Sequence, residues 1–158
     1  MTRERAFGAI DRGAEGLAAA IFGVITVIAL VQIFSRYALN RSLSWSEEAQ
    51  IFGHIWIVFL GIPIAYRRGA HLYIETFCDM LSPRPRTAFN LAIELMWLAF
   101  ALSLMVLGWM VVRVAHLQSS PGLEVPMSYP YGGMVLGGAY LMFVALRRIA
   151  GGVWRVRA

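Results

Sequence analysis

Three sets of residues carry side chains able to do chemistry. His71, Glu75 and Asp79 recur at i, i+4, i+8, which would line up three potential metal ligands on one face of a helix. Ligands on successive turns of one helix rarely converge on an ion without help from another element. The solvated face of a surface helix is therefore the simpler reading, and no metal is expected. His54 and His116 raise haem ligation, in which histidines on facing helices take the axial positions. Their depths do not match: at about 1.5 Å per residue His54 lies about 10 Å inside an apolar stretch, whereas His116 follows one. Glu94 is ionisable and also lies inside an apolar stretch, where such a group is a functional candidate by default. It is either a proton-coupling carboxylate or a structural group paired with Arg67, Arg68 or a partner protein. Standing alone, it fits the structural role better. No nucleophile–base set, phosphate-binding glycine loop or dinucleotide fingerprint is present, so neither an enzyme activity nor a cofactor is expected.

The elements that must position these residues are set by an apolar composition. The chain has 158 residues, 59% hydrophobic and 15% charged, with a mean hydropathy of +0.64. Soluble domains are closer to half apolar and a quarter charged. Four stretches, near residues 17–34, 49–66, 88–112 and 129–146, are long enough to cross a hydrocarbon core of about 30 Å. The third is the longest. The connections are too short for an extramembrane domain of ordinary size, so the expectation is one all-α membrane domain over residues 1–158 with four transmembrane helices. The net charge of +5 does not point to nucleic acid, because the arginines sit at helix ends instead of forming one patch with exposed aromatics. Arg3, Arg5, Arg12, Arg67, Arg68, Arg84, Arg86, Arg147, Arg148, Arg155 and Arg157 fall on one side, and Arg36, Arg41 and Arg113 on the other. The positive-inside rule then places both termini in the cytoplasm. Cys78 is the only cysteine, which excludes an intramolecular disulfide.

Shorter features fill in the frame. Residues 3–12 mix arginines and acids with Phe7, Ala9 and Ile10, suiting a short interfacial helix among lipid headgroups. The first apolar run has no small-residue cleavage site behind it, so it is read as an uncleaved helix. Ser44-Trp45-Ser46-Glu47 reads as a capping box that opens the second helix, with Trp45 in the interfacial belt. Pro63 should kink or fray that helix near its end. Ile74, Phe77, Cys78 and Leu81 share one face opposite His71, Glu75 and Asp79, which describes an amphipathic cytoplasmic helix between spans two and three. Ser82-Pro83-Arg84-Pro85 forms the turn into the third span, and Pro130 suits the first turn of the fourth. Gly133 and Gly137 form a GxxxG, followed by Gly138, that would let another helix approach closely. Arg36 and Glu48, or Glu47, are opposite charges across the first loop; Glu48 is the favoured partner, since Glu47 belongs to the capping box.

Arg36-Tyr37, Asn40, Trp45-Ser46-Glu47-Glu48, Leu60-Gly61, Arg68-Gly69-Ala70-His71-Leu72-Tyr73-Ile74-Glu75 and Val125-Pro126-Met127 follow one another in this order. Together they resemble the small membrane subunit of tripartite ATP-independent periplasmic (TRAP) transporters. Glu75 departs from the Asp more usual there. The resemblance implies a DctQ-like, non-catalytic subunit of a bacterial inner-membrane transporter for ion-gradient-driven uptake of organic acids or similar solutes. Its implied partners are the large permease subunit, which does the transporting, and a periplasmic substrate-binding protein. Structural or interface roles are expected for Arg36, Trp45, Glu47, Glu48, Gly61, His71 and Pro126 within these motifs, and for Glu94, Gly133 and Gly137 from the readings above. Arg41 and Glu124, on the two periplasmic loops, are the candidate docking charges. A self-sufficient oligomeric exporter using Glu94, and a haem-bearing membrane anchor, remain as other readings.

Overall fold

In a computed structural model, which describes residues 2–69 and 83–152, the chain is four helices: α1 (Thr2–Ala38), α2 (Ser44–Arg67), α3 (Pro83–Ala115) and α4 (Ser128–Ala150). Each is long and apolar enough to cross a membrane. The amphipathic helix expected between spans two and three, with His71, Glu75, Cys78 and Asp79, lies outside the described residues.

Helix α1 differs from expectation. Instead of a separate interfacial helix followed by a span, residues 2–38 form one unbroken helix of 37 residues, about 55 Å long. It, and not the 33-residue α3, is the longest element. The reason is visible in its contacts: the Phe7 ring packs edge-on against Phe143 of α4 at 5.5 Å, and Asp11 bonds to α2 and α4. The amphipathic start is thus drawn onto the other helices. At its far end the buried Ser35 closes α1. Its carbonyl accepts from the Leu39 and Arg41 amides, and its hydroxyl donates to the Arg41 carbonyl at 3.0 Å. Asn40 takes φ +50°, a left-handed turn that asparagine tolerates better than most residues.

Helix α2 begins at Ser44 without a capping box: Leu43 occupies the N-cap with no side-chain bond. Ser46 is fully buried and donates to the Leu43 carbonyl at 2.6 Å, while Glu47 accepts from Gln32 of α1. The helix runs through Pro63 to Arg67. Pro63 has no N–H to give the Phe59 carbonyl four residues back, and that carbonyl lies against Gly137 of α4, where any Cβ would overlap it. A Cβ at Gly133 would likewise come within 3.3 Å of the Trp56 Cα. The glycine pair is therefore used inside the chain, by α2. Gly138 faces the other way, toward Leu104 and Met105 of α3. Pro83 and Pro85 fall in the first turn of α3 and Pro130 in that of α4, where missing amide donors do no harm.

Close packing joins α1 to α2, α2 to α4 and α4 to α3. With glycines on two of its sides, α4 is the most enclosed helix. The apolar core, made of Tyr66, Ala101, Tyr140, Leu141, Val144 and Ala145, gathers toward the end where α1 and α3 begin and α2 and α4 finish. That end is called the termini end below, and the opposite one the loop end.

Candidate functional site

At the termini end all four helices are tied together by polar side chains, some across closely packed pairs (α1–α2 and α3–α4) and some across pairs that do not pack closely (α1–α4 and α2–α3). Asp11 of α1 is 5% exposed. One of its oxygens accepts from the Tyr140 hydroxyl at 2.8 Å, and the other from Arg147 at 2.9 Å and Arg67 at 3.3 Å. One helical turn on, Glu15 accepts from Arg67 and, at 2.9 Å, from Arg68. The Arg147 guanidinium also lies over the Phe7 and Phe143 rings, 5.7 and 5.9 Å from their centroids.

A second knot surrounds Glu94 of α3, which is 4% exposed. Its Oε1 accepts from the Arg148 Nε at 3.0 Å, its Oε2 accepts from the Tyr66 hydroxyl, and Arg148 donates onward to the Tyr66 carbonyl at 3.3 Å. Arg148 stacks 4.7 Å above the Tyr66 ring, and Tyr66 packs against Trp97 at 4.8 Å. Glu94 is thus paired inside the chain, with Arg148 and not with Arg67 or Arg68, which Asp11 and Glu15 engage. Three carboxylates and four guanidiniums from all four helices thus meet at this end, and for the buried Asp11 and Glu94 losing the partner would be costly.

The loop end is built differently. Here Glu48 does not pair with Arg36, which is exposed. Its carboxylate reaches the second loop, accepting from the buried Ser120 hydroxyl at 2.7 Å and from the Gly122 and Leu123 amides, each at 2.9 Å. The loop adds its own pairing: Ser120 N to the Val125 carbonyl at 2.9 Å, Met127 N to the Gln118 carbonyl at 2.8 Å, and a bridge between Ser119 and Pro126. Gly122 is tight, since a Cβ would meet the Glu48 carboxylate at 3.1 Å. Glu124, exposed at φ +55°, is held at the tip. The arrangement fixes a short surface loop, and among the described residues there is no cluster of metal-ligating groups.

A family model described as tripartite ATP-independent periplasmic transporters, DctQ component, matches residues 25–155. The chain belongs to the DctQ family. It is 28% identical over 133 residues to the sialic acid TRAP transporter small permease protein SiaQ of Vibrio cholerae, covering 84% of this chain and 75% of that one. To the C4-dicarboxylate TRAP transporter small permease protein DctQ of the same species it is 25% identical over 95 residues, 60% of this chain and 41% of that one. It is also 26% identical over 120 residues to the isethionate TRAP transporter permease protein DctMQ of Oleidesulfovibrio alaskensis, covering 73% of this chain but 19% of that longer protein. This DctQ chain is thus a TRAP small permease subunit and a multi-pass membrane protein.

The sites expected for a DctQ subunit separate by location. Glu94, Gly133 and Gly137 are interior contacts. Pro126 is a pairing residue of the Glu48-clamped loop. Trp45, Arg36, Arg41 and Glu124 are exposed at the loop end, and Gly61 has open space beside it. His71 lies outside the described residues. His54 and His116 do not share a partner: His54 Nδ1 meets the Gln50 carbonyl at 2.7 Å and His116 Nδ1 the Ser128 hydroxyl at 3.1 Å. Asp11, Tyr66, Tyr140, Arg148 and Ser120 were not singled out by sequence reasoning. The available signal was Asp11 and Glu15, two carboxylates at i, i+4 leading into a small-residue apolar run.

Proposed function

We propose that this DctQ chain is a non-catalytic scaffold that packs against a large TRAP permease subunit and helps to receive a periplasmic substrate-binding protein during ion-gradient-driven uptake of organic acids or similar solutes. The observation that carries this reading is that the buried carboxylates are paired inside the chain: Asp11 with Arg67 and Arg147, and Glu94 with Arg148, while the half-buried Glu15 engages Arg67 and Arg68 beside them. Buried charge tied up in fixed pairs supports a rigid body more than a moving solute pathway. A relative named as a DctMQ permease, in which the matching segment is 19% of the chain, supports association with a larger permease.

The arginine bias supports an orientation with both termini in the cytoplasm. The Glu48-clamped loop then faces the periplasm, with Glu124 and Arg41 both exposed at that end. Preformed loops bind with less ordering cost than free ones. In the test, the chain is co-expressed with the large TRAP permease subunit of its own organism, and one subunit is purified through a tag on the other. A stoichiometric complex is expected; a chain that purifies alone under mild detergent contradicts the reading. Reporter fusions at positions 42 and 122 should read periplasm, and at 78 and 156 cytoplasm.

A further inference from the structure

A polar stripe runs along the outer side of α1 and α2 from the loop end toward mid-membrane. Gln32 donates to Glu47 Oε1 at 3.2 Å. Gln50 donates to Gln32 Oε1 and, at 3.0 Å, to the Ser46 carbonyl. His54 Nδ1 lies 2.7 Å from the Gln50 carbonyl. A carbonyl only accepts, so Nδ1 carries the proton, and in the neutral imidazole Nε2 is left as an open acceptor. Helical spacing puts Glu47, Ile51, His54 and Val58 on one side of α2, and all four are exposed.

His54 lies about 10 Å inside the apolar part of α2, within a hydrocarbon core about 30 Å thick. Acyl chains offer no donor at that depth, and a polar group left without one is costly there. The outer face of α3 contrasts with this: Leu102, Val106, Leu107 and Met110 are exposed there, and lipid covers such side chains without penalty. Both ends of the stripe are acceptors, the Glu47 carboxylate and His54 Nε2. Whatever covers the stripe must therefore bring hydrogen-bond donors.

We infer that the α1–α2 stripe is the face on which the large permease subunit seats, with a hydroxyl, amide or guanidinium from one of its helices donating to His54 Nε2. The inference rests on the scaffold reading above and adds to it the face and its bonding chemistry.

The test uses the co-expressed complex. A benzophenone side chain placed at position 54 is expected to crosslink to the large subunit on irradiation. His54→Leu should lower the yield of complex several-fold, while His54→Gln, whose amide keeps both a donor and an acceptor, retains most of it. The amount of this chain in the membrane is measured alongside, so that a folding loss, which lowers both amounts, is told apart from a loss at the interface. An intact complex that gives no large-subunit adduct from position 54, or adducts only with lipid or a second copy of this chain, overturns the inference while leaving the scaffold reading standing. So does an undiminished complex with His54→Leu. Failure to form any complex overturns the scaffold reading, and this inference with it.

Discussion

The two ends of the molecule solve the same problem with different chemistry. At the termini end, carboxylates on α1 and α3 are met by guanidiniums from α2 and α4, and two of them, Asp11 and Glu94, are buried deeply enough that each depends on its partner. At the loop end a single carboxylate, Glu48, is met by a hydroxyl and two backbone amides, and no cation takes part. The first arrangement fastens helices to one another, both across close seams and, through Asp11–Arg147, across a pair that does not pack closely. The second fastens a loop to a helix. Charge in this chain is used where rigid elements must be held together, whereas neutral donors shape the second loop.

The largest effect is expected where the pairing is most buried. Glu94→Leu strands Arg148 and should cost about 3–5 kcal/mol, as removal of one partner from a buried pair does. Glu94→Leu combined with Arg148→Leu should recover most of that loss, because the uncompensated charge is gone. Thermal unfolding in detergent reads the cycle, and equal losses in the single and the double variant would break the claim that this end is held by matched charge.

Next in size is the seam between the ends. Gly137→Leu must push against the backbone of Phe59, and overpacking of this kind costs about 1–3 kcal/mol. Gly61→Ala enters open space and should leave the melting temperature nearly unchanged. Similar shifts from both would mean that α2 and α4 are not in close contact at the glycine pair.

The contrast between the ends is sharpened by Glu48→Gln and Ser120→Ala. Losing the Ser120 hydroxyl should cost about 0.5–1.5 kcal/mol. Both variants should speed amide hydrogen exchange at residues 120–125 while leaving the α4 core protected. Faster exchange throughout α4 would show that the loop clamp also holds the helices.

The smallest effects belong to the exposed charges. Arg36→Ala should move stability by less than about 0.5 kcal/mol. Charge reversal at Arg41 or Glu124 should leave stability equally untouched, yet make uptake with the binding protein weaker and less sensitive to salt, since rim charges steer association. Unchanged uptake and salt dependence in both variants would place docking wholly on the large subunit.

How much of this was legible in the sequence depended on the range of the interaction. The four spans could be read because apolar length is a local property, and the packing role of Gly133 and Gly137 because small residues at i, i+4 make a face on their own. What the sequence could not show was that α2, and not another chain, fills that face. Ion-pair partners were harder still. Arg36 is near Glu48 in sequence, yet Glu48 reaches Ser120, 72 positions away, because the α4 glycines and the Trp56 bond to the Tyr129 carbonyl at 3.1 Å bring the second loop over the start of α2. Asp11 looked like one charge among many in a headgroup segment. Only the crossing of Tyr140 and Arg147 beside it makes it a buried junction.

The central claim, that this chain supports transport without carrying it, is tested most directly in proteoliposomes with an imposed ion gradient and the cognate substrate-binding protein. Vesicles holding this chain alone should take up no solute above empty vesicles, and vesicles holding it together with the large permease subunit should accumulate solute. Gradient-dependent uptake by vesicles containing this chain without the large subunit would contradict the account.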